Sequence, residues 1–284
     1  MTGAEAIVQV LADEGVQVLF GYAGGAILPV FDALYRHNEA DDGRVPMQLV
    51  VPANEQGAGF MAAGYARASG QVGVAVVTSG PGATNMVTPV QDCMADSIPL
   101  VVVCGQVGTA ALGSDAFQEA PVHHLMGACA KHVFLVTDPA RLEATLRSAF
   151  MLARSGRPGP VVVDCPKDVQ NAAVRFQGEG ELALPGYRAR LRRTEQATLS
   201  DAECAAFFDA LLRARRPLLY AGGGVVAGGA APALRAFAEA FGLPVTTSLM
   251  GIGAIDTRAP LALHMLGMHG TAYANYAVED CDFL

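Results

Sequence analysis

Short apolar runs alternate with helix-length segments along the first 170 residues, and no other feature restricts the fold as strongly. The runs cover 18–21, 47–51, 72–78, 100–105, 133–136 and 161–164, and the segments between most of them include predicted helices over 26–36, 56–69, 83–95 and 139–154. Strands that are hydrophobic throughout, rather than at every second position, are buried on both faces. The pattern therefore predicts an α/β fold with a mostly parallel sheet covered by helices. In such sheets the functional loops gather at one end of the strands.

Local signals set the boundaries. Thr2 with Glu5 forms a capping box, Ile7 and Leu11 repeat at helical spacing, Gly15 ends the first helix, and Asp138 is the predicted N-cap of 139–154. Over 171–198 the pattern lapses into polar sequence containing Gly, Pro and Arg, which predicts an interdomain linker. A domain over 1–170 and a second α/β unit over 199–284 follow, a division that 284 residues accommodate. The second unit opens on a capping box at Ser200 and Glu203 and continues with a strand over 217–221, a Gly222-Gly223-Gly224 turn, a helix over 231–241 and a strand over 244–247. A sheet of two or three strands there would be incomplete, with an open edge.

Composition excludes several classes. A net charge of −8 with scattered basic residues argues against a nucleic-acid surface. No apolar run reaches the ~18 residues of a membrane span, and the start has no basic stretch followed by an apolar core, so neither a membrane partner nor a signal peptide is expected. Six cysteines with no C-x-x-C pair predict reduced thiols in a cytoplasmic protein and no metal site. His123 and His124 have no partner acids at ligand spacing and receive no role.

Glu55 is a lone acid behind the run 47–51 and ahead of small residues, Gly57-Ala58-Gly59. The expectation is a carboxyl group facing a dry cavity, able to hold or pass a proton near neutral pH. Gly21-Tyr22-Ala23-Gly24-Gly25 and Ser79-Gly80-Pro81-Gly82 each follow a strand and open a helix, so their backbones could approach an anionic ligand closely. The G-x-G-x-x-G spacing is absent, and so is a P-loop ending, which argues against nucleotide hydrolysis.

Together with Ser79-Gly80-Pro81-Gly82-Ala83-Thr84-Asn85 and Asp115-Ala116-Phe117-Gln118-Glu119-Ala120, Glu55 resembles the pattern of thiamine-diphosphate enzymes of the acetolactate synthase large-subunit family. In that family thiamine diphosphate lies between two subunits, and this chain looks like the pyrimidine-binding side. The resemblance implies that Glu55 is the proton-relay acid, whose bond to the ring nitrogen N1′ favours the imino tautomer that deprotonates the thiazolium. It implies that Pro81 and Asn85 line the aminopyrimidine and that Tyr22 and Gly24 lie in the turn over the thiazolium. It places Gln118 near the reacting carbon, Phe117 beside it, and Lys167 at the substrate entrance. The implied reaction joins pyruvate to a second 2-oxo acid, giving 2-acetolactate or 2-aceto-2-hydroxybutyrate for branched-chain amino acids.

The second unit resembles the FAD-binding middle domain of the same family through Gly222, Gly223, Gly224, Met250 and the stretch carrying Gly267, Met268, His269, Gly270 and Thr271. Arg157 matches an arginine that touches the flavin, and His269 is expected to organise backbone rather than act as acid or base. A homodimer or tetramer and a regulatory subunit are further implications.

Two motif positions depart from the family. Asn54 stands where a histidine usually precedes the glutamate, and Ala23 replaces a proline of the glycine turn. Members also have a third domain with the magnesium and diphosphate motif, and nothing after Leu284 supplies it, so the chain reads as a fragment expected to be inactive alone. The alternatives are another flavin-containing thiamine enzyme, such as a pyruvate oxidase, or a non-catalytic binding or oligomerisation module. Glyoxylate carboligase is disfavoured, because its family lacks this glutamate.

Overall fold

A computed structural model describes residues 1–40 and 43–284, which divide into two compact units, Met1–Glu195 and Gln196–Leu284. The first unit opens with α1 (Gly3–Asp13), β1 (Val18–Tyr22), α2 (Leu28–Glu39), β2 (Gln48–Val50), α3 (Glu55–Ser69) and β3 (Gly73–Val77). It continues with α4 (Pro81–Asn85), α5 (Val87–Asp96), β4 (Leu100–Gln106), α6 (Val122–Gly127) and β5 (His132–Leu135). It closes with α7 (Leu142–Arg154), β6 (Pro160–Pro166), α8 (Lys167–Asn171) and α9 (Pro185–Glu195).

The six strands form one sheet in the order β2-β1-β3-β4-β6-β5, and every pairing is parallel. Valine fills the central strands: Val74, Val76, Val101, Val103, Val161 and Val163 are no more than 1% exposed and pack with Ile7, Leu11, Leu146 and Phe150. Each large side chain buried in this way contributes about 1.5–3 kcal/mol. The Thr2–Glu5 capping box forms in both directions, and the Asp138 side chain accepts from the Ala140 N–H. β2 lies to one side of β1 and β3 to the other, so the chain reverses direction across the sheet between β1 and β3. Beyond the carboxyl ends of two such strands a crevice opens, the usual ligand position in this architecture.

Two elements differ from expectation. The helix expected over 83–95 is broken after Asn85 into α4 and α5. Pro89 has no N–H to give the Asn85 carbonyl, the bond that would carry one helix into the other. The segment expected as a linker carries α9, and Phe176, Leu184 and Tyr187 pack against the first core. Two side chains of α7 and the backbone of its C-cap hold this segment: Gln177 N–H donates to Glu143 at 2.8 Å, Leu182 N–H donates to Ser148 Oγ at 2.8 Å, and Tyr187 Oη donates to the Ser155 carbonyl at 3.0 Å. Sparse apolar residues in a polar background give no periodic signal, yet three of them are enough to seat the strap.

The second unit comprises α10 (Asp201–Arg213), β7 (Leu219–Ala221), α11 (Gly223–Ala227), α12 (Ala231–Phe241), β8 (Val245–Thr247), β9 (Ala262–Met265) and α13 (Ala272–Asp280). Its sheet is parallel in the order β7-β8-β9, and Phe283 makes a further parallel bridge to Pro217 beside β7. The core is small, built on Ala221, Ala238, Val245, Ala254 and Ile255. No helix of the described residues is long and apolar enough to cross a membrane, and their cysteines are free.

Candidate functional site

Because all six strands run the same way, the segments that follow them emerge on one side of the sheet. Tyr22 ends β1 and Gly24 follows it, Glu55 follows β2, Pro81 and Asn85 follow β3, Phe117 and Gln118 follow β4, and Lys167 follows β6. The parallel sheet thus brings every site residue expected in the first unit, except Arg157, to its C-terminal edge.

Glu55 is the first residue of α3, and Asn54 caps that helix by accepting from the Gly57 N–H at 2.8 Å. An asparagine is among the best N-caps, so the departure at 54 leaves the helix start well held. Glu55 Oε2 accepts a 2.8 Å hydrogen bond from Asn85 Nδ2, the last residue of α4. Its other oxygen, Oε1, lies 3.5 Å from where a Cβ on Gly82 would stand, so the carboxylate packs at contact distance beside the bare backbone of that glycine. A carboxylate at a helix N-terminus also gains from the helix dipole, by about 0.3–1 kcal/mol.

The expected dry cavity is not formed by the first unit: Glu55 is half-buried. The small residues after it serve a different purpose, close packing. A Cβ on Gly59 would fall 2.4 Å from Pro89 Cγ, and Ala58, Ala62, Ala63 and Ala66 are buried. What flanks Glu55 in sequence is instead exposed and apolar, with Val51, Phe60 and Met61 each more than 40% accessible.

The glycine turns meet through Thr78. A Cβ on Gly24 would lie 2.5 Å from Thr78 Cγ2 and one on Gly82 2.8 Å from the same atom, while Thr78 Oγ1 accepts from the Ala26 N–H at 3.2 Å. Gly80 adopts a φ of 56°, and its Cβ would fall 2.7 Å from the Gln118 carbonyl oxygen. Gln118 itself has a φ of 57°. Its loop is drawn around the Glu119 carboxylate, which accepts from Gly113 N–H at 2.5 Å and Ala116 N–H at 3.1 Å. These amides, Gly113 first, hold the Glu119 carboxyl below the usual carboxylate range. Phe117 projects outward, 88% exposed. Lys167 is exposed at the first position of α8.

Arg157 is occupied locally. Its Nε donates to Ser97 Oγ at 2.8 Å and its Nη2 to the Met94 carbonyl at 2.7 Å, which caps the end of α5. In the second unit a cavity of about 300 Å³ is lined by residues including Thr247, His264, His269, Gly270, Thr271 and Tyr273. Asn275 clamps Gly267 from both sides, accepting from its N–H at 2.8 Å and donating to its carbonyl at 3.1 Å. Thr271 caps α13 and donates to the Leu263 carbonyl at 2.9 Å. Met268 is 91% exposed. Gly223 packs against Met250, 2.8 Å from Cβ to Cβ had it one, so this glycine also serves backbone packing; nothing stands within 4 Å over Gly224. No group of three or more His, Cys, Asp or Glu gathers as a metal site among the described residues.

Thr78, which packs against two of the glycines, and Glu119, which gathers the Gln118 loop, are not anticipated from the sequence.

Comparison with known proteins agrees with this architecture. The N-terminal TPP binding domain of thiamine pyrophosphate enzymes matches residues 1–127, and the central domain of thiamine pyrophosphate enzymes matches residues 204–284. The chain is 46% identical to the acetolactate synthase large subunit of Corynebacterium glutamicum, over all of this chain and 43% of that one. It is also 46% identical to the acetolactate synthase large subunit of Parasynechococcus marenigrum and to the isozyme 2 large subunit of Escherichia coli K12, again over its whole length and over 45% and 48% of theirs. It thus spans less than half the length of these curated relatives. The chain belongs to the thiamine pyrophosphate enzyme family and carries that family's N-terminal and central domains.

Proposed function

We propose that this chain supplies the pyrimidine-binding side of a carboligase that joins pyruvate to a second 2-oxo acid, giving 2-acetolactate or 2-aceto-2-hydroxybutyrate. The observation that carries the reading is the Glu55 carboxylate, half-buried at the C-terminal edge of the sheet and oriented by Asn85, with Oε1 left free. That arrangement fits an aminopyrimidine, whose edge needs one acceptor held in a fixed direction. When bound, thiamine diphosphate supplies an electron-accepting ring for decarboxylation and carbon–carbon bond formation.

The residues of the chain bind, orient and move protons. Glu55 holds a proton at its free oxygen or releases it to the ring nitrogen, while Asn85 keeps the carboxylate turned toward it. Tyr22, Gly24 and Pro81 close around the ring, with Gly24 bare because Thr78 fills the space behind it. Gln118 offers an amide at the mouth of the site, Phe117 an apolar surface, and Lys167 a cation for the carboxylate of an incoming 2-oxo acid. A second copy of the chain lies over the exposed apolar residues flanking Glu55 and excludes water there, making the active form a homodimer or tetramer. The 300 Å³ cavity of the second unit takes part of an FAD, with His269, Gly270 and Thr271 on its wall. Arg157, in the first unit, caps α5. Among the described residues no cluster of acids and histidines gathers to hold magnesium, and a regulatory subunit is the partner this reading assigns.

The test is product analysis of the full-length protein with pyruvate, thiamine diphosphate, magnesium and FAD. Acetolactate without oxygen uptake is expected. Oxygen uptake in proportion to pyruvate consumed would make the protein an oxidase, and no turnover with no cofactor binding would make it a non-catalytic module.

A further inference from the structure

One buried polar pair is not used by the chemistry above. Gln106, the last residue of β4, and Asp164, on the neighbouring strand β6, are each 2% exposed. Gln106 Nε2 donates to Asp164 Oδ2 at 3.1 Å and to the Ala120 carbonyl at 3.0 Å, and its Oε1 accepts from the Val107 N–H at 2.9 Å. One donor of this amide therefore joins β4 to the far end of the loop that carries Gln118, while the other donor, on Asp164, and the acceptor, on Val107, fix the amide in place. Asp164 Oδ1 has no hydrogen-bond partner. A carboxyl group inside a valine strand is unfavourable unless something recovers its desolvation, and an apolar side chain would pack there without that penalty.

The anchored carbonyl is two residues from Gln118. Gln118 sits in the left-handed region, with its backbone against the bare face of Gly80. From the other side the half-buried Glu119 carboxylate ties the loop together, with the Glu119 N–H on the Ala116 carbonyl and the Val122 N–H on the Ala120 carbonyl. A left-handed non-glycine residue persists only when its surroundings over-determine it.

We infer that Gln106 and Asp164 are positioning residues for Gln118: their buried amide–carboxyl pair fixes the Ala120 carbonyl, and with it the turn that presents Gln118 at the active edge of the sheet. This rests on the proposed role of Gln118 in the carboligation. Neither residue touches substrate or cofactor.

The test uses the full-length protein with Gln106→Met, Asp164→Leu and Asp164→Asn, reading amide hydrogen exchange over 112–120 together with kcat and KM for pyruvate. Gln106→Met keeps the shape of the side chain and removes its donors. Asp164→Asn keeps an acceptor for Gln106 and is the conservative rescue. Loss of a bond of this kind corresponds to roughly tenfold in a local opening equilibrium. The first two variants should therefore exchange about tenfold faster over 112–120 with α3 and α7 unchanged, and kcat should fall by a similar factor with KM little altered; Asp164→Asn should stay within about twofold of native.

Unchanged exchange over 112–120 in Gln106→Met would overturn the anchor whatever the activity, and faster exchange across the whole unit would reduce the pair to ordinary core. Local loosening with full kcat would overturn the positioning role. If the native protein made no acetolactate, the proposed function would fail, while the exchange data would still decide the anchor.

Discussion

Asn85 Nδ2 lies 2.8 Å from Glu55 Oε2, joining the end of one short helix to the start of another. α4 ends at Asn85 because Pro89 cannot continue the ladder, and α3 begins at Glu55 because Asn54 caps it, so two helix boundaries set the carboxylate. A hydrogen bond to a charged group is worth about 1.5–3 kcal/mol. Asn85→Ala should lower kcat of the full-length enzyme by roughly tenfold or more, with little change in melting temperature since the site is open to solvent. Steady-state kinetics with thermal unfolding checks this, and unchanged kcat would remove Asn85 from the site.

Gly80→Ala should be more damaging than an ordinary glycine substitution. Its φ of 56° disfavours a side chain, and the new Cβ would meet the Gln118 backbone at 2.7–3.0 Å. The combined strain should cost about 1–3 kcal/mol and displace the Gln118 loop. Denaturant unfolding together with turnover would show both effects. Gly64→Ala, where nothing stands within 4 Å of the added carbon, is the control and should be neutral or mildly stabilising.

Burial pushes the Asp164 carboxyl up to about 7, with the Gln106 donor opposing the shift. In the folded state Asp164 keeps its proton over a pH range where the unfolded chain, near 3.8, has lost it. The unfolded state then binds fewer protons, so the contribution to stability is greatest below about pH 4, falls through pH 4–7 and is flat above. Asp164→Asn removes this slope, which is at most ~1.4 kcal/mol per pH unit. Urea unfolding at several pH values should show the variant gaining on the native protein from pH 4 to 7; parallel curves would mean that Asp164 is ionised throughout.

Thr271→Val tests the second unit. It removes the cap of α13 and the bond to the Leu263 carbonyl, both beside the 300 Å³ cavity. The cap alone is worth about 1 kcal/mol. The expected outcome is a full-length protein that retains less FAD after gel filtration, read by visible absorbance. Undiminished flavin would place the binding site away from this wall.

The sheet was legible because buried parallel strands write continuous valine runs, and the capping boxes at Thr2 and Ser200 are local chemistry within four residues. The edge that gathers Glu55, Asn85 and Gln118 was legible only through a resemblance, since nothing local says that residues 30 apart will share a hydrogen bond. The strap at Phe176, Leu184 and Tyr187 was missed because its apolar residues are too sparse for any period. The enclosure expected for Glu55 is not formed by the first unit alone, because the small residues after it pack α3 onto Pro89. Thr78, which sets two of the glycines, carries no sequence signal because its partners are named only by the fold.

The central claim, that Glu55 is the relay acid, is tested most directly by Glu55→Gln in the full-length protein, with acetolactate formation from pyruvate as the readout. Glutamine keeps the size and an acceptor but cannot exchange the proton, so the rate should fall by about 10²–10⁴ while the fold is retained. Acetolactate produced at the native rate would contradict the assignment.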